Sequence, residues 1–282
     1  MKSTLNFEER NRILNIAIAS SKIKELHLPH IQIRPNMHVC IAGRVGGGKS
    51  SILKEVMDAV GIDSGVTSLT KATLLGAVDK NTGQFLPPAT WEFRNNIMPI
   101  DELHIPKEGS GRDVARTMVS LMEQPRYKKG IGYRCNNYHK KDGDLFCNVK
   151  DNQIDVKTRF SIFSTTMMNL NNRAKMQNVD VQAFMTRCVV IHYYPDLKEL
   201  LEISKGNRGF VYEKMPKCEN RKITINHNIY DEIINYVASK VDLIGEDEFL
   251  RCVGELCRAY AVVGKINYND FDIIIKTKIA TR

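Results

Sequence analysis

Eight consecutive residues constrain this chain more than any others: Gly43-Arg44-Val45-Gly46-Gly47-Gly48-Lys49-Ser50. The stretch fits G-x-x-x-x-G-K-[ST] and carries four glycines. A loop that wraps its backbone around a phosphate needs glycine, because the amide N–H groups must turn inward at close range. A short apolar run from Met37 to Ala42 precedes the loop and reads as a buried parallel strand. Helical spacing follows from Lys49 to Val60. The loop therefore opens a helix, whose N-terminus favours negative charge. These residues predict a nucleotide site built from Gly43, Gly46, Gly47, Gly48 and the start of the helix at Ser51. Lys49 is expected to neutralise the β- and γ-phosphates, and the Ser50 hydroxyl to ligate Mg²⁺.

A second apolar run, Asn96 to Ile100, ends in Asp101-Glu102. A carboxylate at the end of a strand beside a phosphate loop can hold hydrated Mg²⁺, which is the expectation for Asp101. Glu102 next to it is expected to take a proton from an attacking water. Pro99 inside the run is unusual, because proline supplies no ladder N–H.

The rest of the chain reads as strands alternating with helices and then as helices alone. Asn6 to Lys24 predicts an amphipathic helix with Ile13, Leu14, Ile16, Ala17 and Ile18 on its apolar side. Gly111 to Gln124 predicts another, with Val114, Met118, Leu121 and Met122 on one side. Lys129 to Thr158 reads as a β-hairpin with Asp142-Gly143 as its turn. Phe160–Thr165 and Cys188–Tyr193 read as buried strands. That alternation predicts an α/β fold with a parallel sheet. After Pro195, helices are expected at 228–241, 246–263 and 269–276. The expected division is a nucleotide-binding core over 1–194, with the hairpin at 129–158, and a helical lid over 195–282.

Composition narrows the function classes. Hydrophobic residues make up 43% and charged residues 26%, which supports a sizeable core. No apolar run approaches the roughly 20 residues needed to cross a bilayer, and the first residues do not have the layout of a secretory signal, so a cytoplasmic location and no membrane partner are expected. The seven cysteines are scattered, which argues against a disulfide framework. Cys135, His139 and Cys147 lie near one another but form no knuckle and lack a fourth ligand for zinc. The net charge is +9, and its excess sits centrally: residues 126–159 hold nine basic residues against four aspartates. A localised basic stretch is a candidate contact for a phosphate backbone, or simply a solvated face.

The sequence resembles the AAA+ ATPases, and within them the minichromosome maintenance (MCM) helicase-like group. Besides the two nucleotide motifs, three stretches carry the likeness. They are Thr70 to Gly83, Leu121-Met122-Glu123-Gln124 with Lys128-Lys129-Gly130-Ile131, and Ala183-Phe184-Met185-Thr186-Arg187. The likeness spans roughly residues 36 to 275. It implies a P-loop core with a lid, an insertion at Thr70–Gly83 and an arginine finger at Arg187. Cys188-Val189 departs from the phenylalanine-aspartate usual after that finger.

The group's sensor 1 falls on Thr166 or Asn169, with Asn169 preferred. Its sensor 2 falls on Arg251 or Arg258, seven residues apart and on one helix face, with Arg258 preferred for binding nucleotide. The resemblance implies ATP and Mg²⁺ as ligands and a homo-oligomeric ring, with a hexamer as one possible size. It also implies action on DNA as a minimal helicase or initiator-type motor. The hairpin would then project into a central pore, with Lys140 and Lys141 near its tip gripping phosphates. The rival reading is a MoxR-like ATPase that remodels a protein.

Overall fold

The computed structural model describes residues 4–66, 69–104, 110–123, 126–130, 147–150, 153–157, 160–167, 179–206, 209–215 and 219–281. The chain opens with helix α1 (Phe7–Ser21), started by a capping box in which Asn6 and Glu9 exchange side-chain-to-backbone bonds of 2.9 and 3.0 Å. Short strands β1 (Glu25–His27) and β2 (Gln32–Ile33) lead to β3 (His38–Ala42), and the glycine loop then opens α2 (Lys49–Ala59). Helix α3 (Lys71–Leu75) is followed by a small hairpin, β4 (Ala77–Val78) with β5 (Phe85–Leu86). Next come β6 (Asn96–Ile100), α4 (Ser110–Glu123) and three antiparallel strands, β7 (Arg126–Gly130), β8 (Cys147–Lys150) and β9 (Gln153–Lys157). The remainder is β10 (Phe160–Thr166), α5 (Val179–Arg187), β11 (Cys188–His192), α6 (Leu197–Ser204), β12 (Lys222–Thr224), α7 (His227–Ala238), α8 (Val241–Ile244), α9 (Phe249–Val263) and α10 (Tyr268–Ile279).

The centre of the molecule is a four-stranded, all-parallel sheet in the order β11-β3-β10-β6. The protein is therefore α/β, with helices on both faces of a parallel sheet. Side chains alternate along each strand, as a two-residue period requires. On β3, Val39 and Ile41 join one apolar cluster, while Cys40 and Ala42 join the other. The first cluster includes α1, α2, α9 and α10, and the second includes α4 and α5. β6 lies at one end of this sheet, so Pro99 need donate to no neighbour on its outer side. Its carbonyl still accepts from the Val66 N–H at 2.9 Å.

Two sequence expectations are changed by packing. Helix α1 is not exposed on one side: its residues from Ile13 to Ser21 are all buried. It lies between the sheet and the C-terminal helices, so polar Asn15, Ser20 and Ser21 are enclosed with the apolar residues and bond to backbone carbonyls. Helices α9 and α10 share the apolar cluster of α1 and the sheet. In the 126–157 region, β9 lies between β7 and β8, giving three antiparallel strands where a simple hairpin was expected. The Asp142-Gly143 turn, Lys140, Lys141, Cys135 and His139 lie outside the described residues. Among the described residues, no helix is long and apolar enough to cross a membrane.

His38 starts β3 and is buried. Its Nδ1 accepts the Ile162 N–H at 2.9 Å, so the ring proton sits on Nε2, facing the Met122 carbonyl at 3.3 Å. Burial, with Arg34, Arg258 and Arg187 nearby, holds its pKa well below the ordinary 6.5. The unfolded chain then binds a proton near pH 6.5 that the folded chain refuses. Stability is complete above that pH and is lost as pH falls through it, by up to about 1.4 kcal/mol per pH unit for one group. Buried His192 adds a term of the same sign. Denaturant titrations from pH 7.5 to 5 are expected to show this fall. A flat profile would mean that His38 is protonated in the fold.

Candidate functional site

The glycine loop joins the C-terminal end of β3 to the first turn of α2. Its first glycine is required by close approach: a Cβ on Gly43 would lie 2.2 Å from the Tyr193 carbonyl oxygen. Gly48 is required by backbone conformation, with φ +84° as the N-cap of α2. That position has no side-chain cap, so the first amides of α2, from Lys49 to Ser51, receive no side-chain acceptor from it. Lys49 is buried, and its ammonium donates to the Arg44 carbonyl at 2.7 Å. Burial lowers its pKa, against the opposing pull of Asp101 and Glu102. The lysine is thus folded back on its own loop, within the field of the two acids.

The acidic pair follows β6, and β10 separates β6 from β3. The Ser50 hydroxyl nevertheless bridges this gap and donates to Asp101 Oδ1 at 3.0 Å. The Thr165 hydroxyl donates to the same carboxylate oxygen. Thr165 Oγ1 also accepts the Glu102 N–H at 2.8 Å, and that N–H lies 3.1 Å from Asp101 Oδ1. Glu102 is a non-glycine residue with φ +53°, an uncommon left-handed conformation. The two bonds from its N–H hold it there, and strain of this kind gathers at functional sites. A hydroxyl and a carboxylate oxygen at 3.0 Å fit the donor set of a hydrated Mg²⁺.

Thr165 is the site residue that sequence reasoning missed. The expected candidates in this stretch were Thr166 and Asn169. Thr166 is buried and its hydroxyl donates to the Leu103 carbonyl at 2.9 Å, away from the acids. Asn169 lies outside the described residues. The available signal was the run of hydroxyls Ser164-Thr165-Thr166 at the end of a buried strand. Choosing among the three needs the register, in which Ser164 pairs with Ile100, so that the next residue, Thr165, reaches Asp101 with its hydroxyl.

Arg187 and Arg258 are not near the loop of their own chain. Arg187 directly precedes β11, whose first residue, Cys188, pairs with His38 at the start of β3. Gly43 follows the other end of β3. Five strand residues at about 3.3 Å each separate the two by roughly 16 Å. Arg187 is ion-paired with Glu123 and donates to the Ala183 carbonyl. Arg258, expected to bind nucleotide, instead donates to the Arg34 carbonyl at 2.9 Å and pairs with Glu255 at 3.2 Å. The cause is the packing of α9 against α1 and α10, which carries Arg258 to the His38 end of the sheet. Arg251, the alternative, lines one cleft together with Arg187 and Arg258.

The described site is therefore Gly43, Gly46, Gly47, Gly48, Lys49, Ser50 and Ser51 with Asp101, Glu102 and Thr165. Two cationic candidates stand at the opposite end of the sheet. Compared with known proteins, the chain matches no family model and no curated sequence.

Proposed function

We propose that this chain binds and hydrolyses ATP as an oligomeric AAA+-type motor. The observation that carries the reading is the Ser50–Asp101 bond, which joins the end of the glycine loop to the acidic pair across an intervening strand. Backbone amides of the loop and the first turn of α2 would surround the phosphates. Lys49 would exchange the Arg44 carbonyl for phosphate oxygens. Ser50 and Asp101 would hold Mg²⁺, which when bound offsets charge on the phosphates. Glu102 would accept a proton from the attacking water, with Thr165 holding its backbone and the Asp101 oxygen in register.

Arg187 lies too far from its own loop to meet the terminal phosphate, so a second copy would supply it. Arg258 stands at the same end, and in this reading it too would serve a neighbour's site. The net charge of +9 and its concentration at 126–159 favour DNA as the substrate over a remodelled protein.

Lys49→Ala tests the reading. ATP affinity is expected to fall by about tenfold or more, since one charge-assisted contact is worth about 1.5–3 kcal/mol. Calorimetric titration with Mg-ATP gives the answer, and unchanged affinity would remove the glycine loop from nucleotide binding. Duplex and single-stranded DNA binding, followed against salt, separates the DNA reading from protein remodelling. Log affinity should fall with log salt by about 0.9 per duplex phosphate contact. No binding at low salt would favour the MoxR-like alternative.

A further inference from the structure

At the end of the sheet opposite the glycine loop lies a cleft of about 870 Å³. Clefts that hold small molecules span roughly 300–1,000 Å³. Three parts of the chain build its polar wall. The segment before β3 contributes Arg34 and Asn36, the ends of α4 and α5 contribute Glu123 and Arg187, and α9 contributes Glu255 and Arg258. Arg34 and Asn36 are 5% and 3% exposed, so this wall is interior. Arg34 donates to Asn36 Oδ1 at 3.2 Å. Asn36 Nδ2 is buried with no hydrogen-bond partner, and Arg187 Nε is in the same condition. Each such buried donor destabilises the fold unless something accepts from it.

The charge is unbalanced as well. Five cationic and three acidic side chains line the cleft, and one of those acids, Glu25, is engaged by His27 and Lys222. Burial and the neighbouring Arg258 both disfavour the charged form of Arg34. His38 beside them is held neutral, so it adds no further charge at neutral pH. An anion with several oxygens would relieve the repulsion and accept from the orphaned donors together. Guanidinium groups pair with carboxylate and phosphate alike, but the excess of two charges and the several donors suit a phosphate, which carries about −1.5 to −2 at pH 7. Glu255 Oε2 is buried without a partner and would accept a hydroxyl or amine on the same ligand.

We propose that this cleft binds a phosphorylated small molecule, at a site separate from the chain's own glycine loop. The proposal does not rest on the ATPase reading. Because Arg187 lines the cleft, a neighbour's nucleotide is a second source of the same phosphate chemistry, and the experiment removes it. Inorganic pyrophosphate is titrated calorimetrically, with nucleotide absent, into the Lys49→Ala protein, in which binding at the glycine loop is weakened. Binding in the sub-millimolar range is expected.

Two near-isosteric changes then move the affinity in opposite directions. Asn36→Asp gives Arg34 an internal carboxylate and should weaken binding roughly tenfold or more. Glu255→Gln removes an opposing charge while keeping the oxygen that faces Arg258, and should tighten binding severalfold. If Asn36→Asp does not fold, Glu255→Gln decides alone. No binding at millimolar pyrophosphate overturns the proposal, as does an affinity that folded cleft variants leave unchanged. Those results would leave the loop's role untouched, since ATP binding by the parent protein tests that separately.

Discussion

Arg187→Ala is expected to lower ATP turnover of the assembled protein by about 10³-fold or more, the range for an arginine supplied in trans to phosphoryl transfer. The expectation follows from distance. Arg187 precedes β11 at the His38 end of the sheet, roughly 16 Å of strand away from Gly43. Its guanidinium is tied to Glu123 and the Ala183 carbonyl, so it would have to release Glu123 to reach a neighbour's phosphate. Glu123 is half exposed, and water can solvate it once the partner leaves. Mixing Arg187→Ala with Lys49→Ala subunits is the decisive measurement. Each variant alone should be nearly inactive. Some turnover should return where an intact loop faces an intact arginine. Equal hydrolysis by dilute monomer and concentrated protein would refute supply in trans.

Glu102→Gln should retain ATP while slowing hydrolysis by about 10²–10⁴-fold, the usual loss when a general base is removed. The amide keeps the carboxylate's shape but takes no proton from water. The backbone bonds from Glu102 N–H to Thr165 Oγ1 and Asp101 Oδ1 do not involve the replaced side chain, so the loop geometry should survive. Single-turnover hydrolysis alongside equilibrium ATP binding separates the two effects. Parental hydrolysis in this variant would assign the base to another residue. Thr165→Val provides a comparison, because it removes the hydroxyl that holds Glu102 and Asp101 in place. Hydrolysis should fall there too, with the carboxylate of Glu102 still present.

Much of the fold was legible because it rests on local patterns. Short apolar runs marked β6 at Asn96–Ile100 and β11, which runs over Cys188–His192 where Cys188–Tyr193 was expected. The long C-terminal helices begin within a few residues of their expected starts, because apolar spacing marks their bodies. Their ends are set by details such as the Asn226 cap of α7 and Gly264, with φ +77°, after α9. The third strand in the 126–157 region, where a hairpin was expected, has another origin. Pairing partners in an antiparallel sheet are chosen by long-range contact, and a turn signal such as Asp142-Gly143 specifies only its own neighbourhood.

The glycine loop was legible from the chain alone, since the need for glycine at a tight approach and the place of a lysine and a hydroxyl at a helix start are local chemistry. So were the alternation of strands with helices and the acidic pair that ends one strand. Which groups meet depends on long-range packing. Pro99 is accommodated because β6 is at the edge of the four-stranded sheet. Thr165, not Thr166, reaches the acids because adjacent residues on β10 point to opposite faces, and the β6 register brings Thr165 beside Asp101. Arg258 leaves the glycine loop for the far end of the sheet because α9 packs between α1 and α10 in a shared apolar cluster. In each case the deciding quantity is a contact between residues far apart in the chain, and periodicity along one segment carries no information about it.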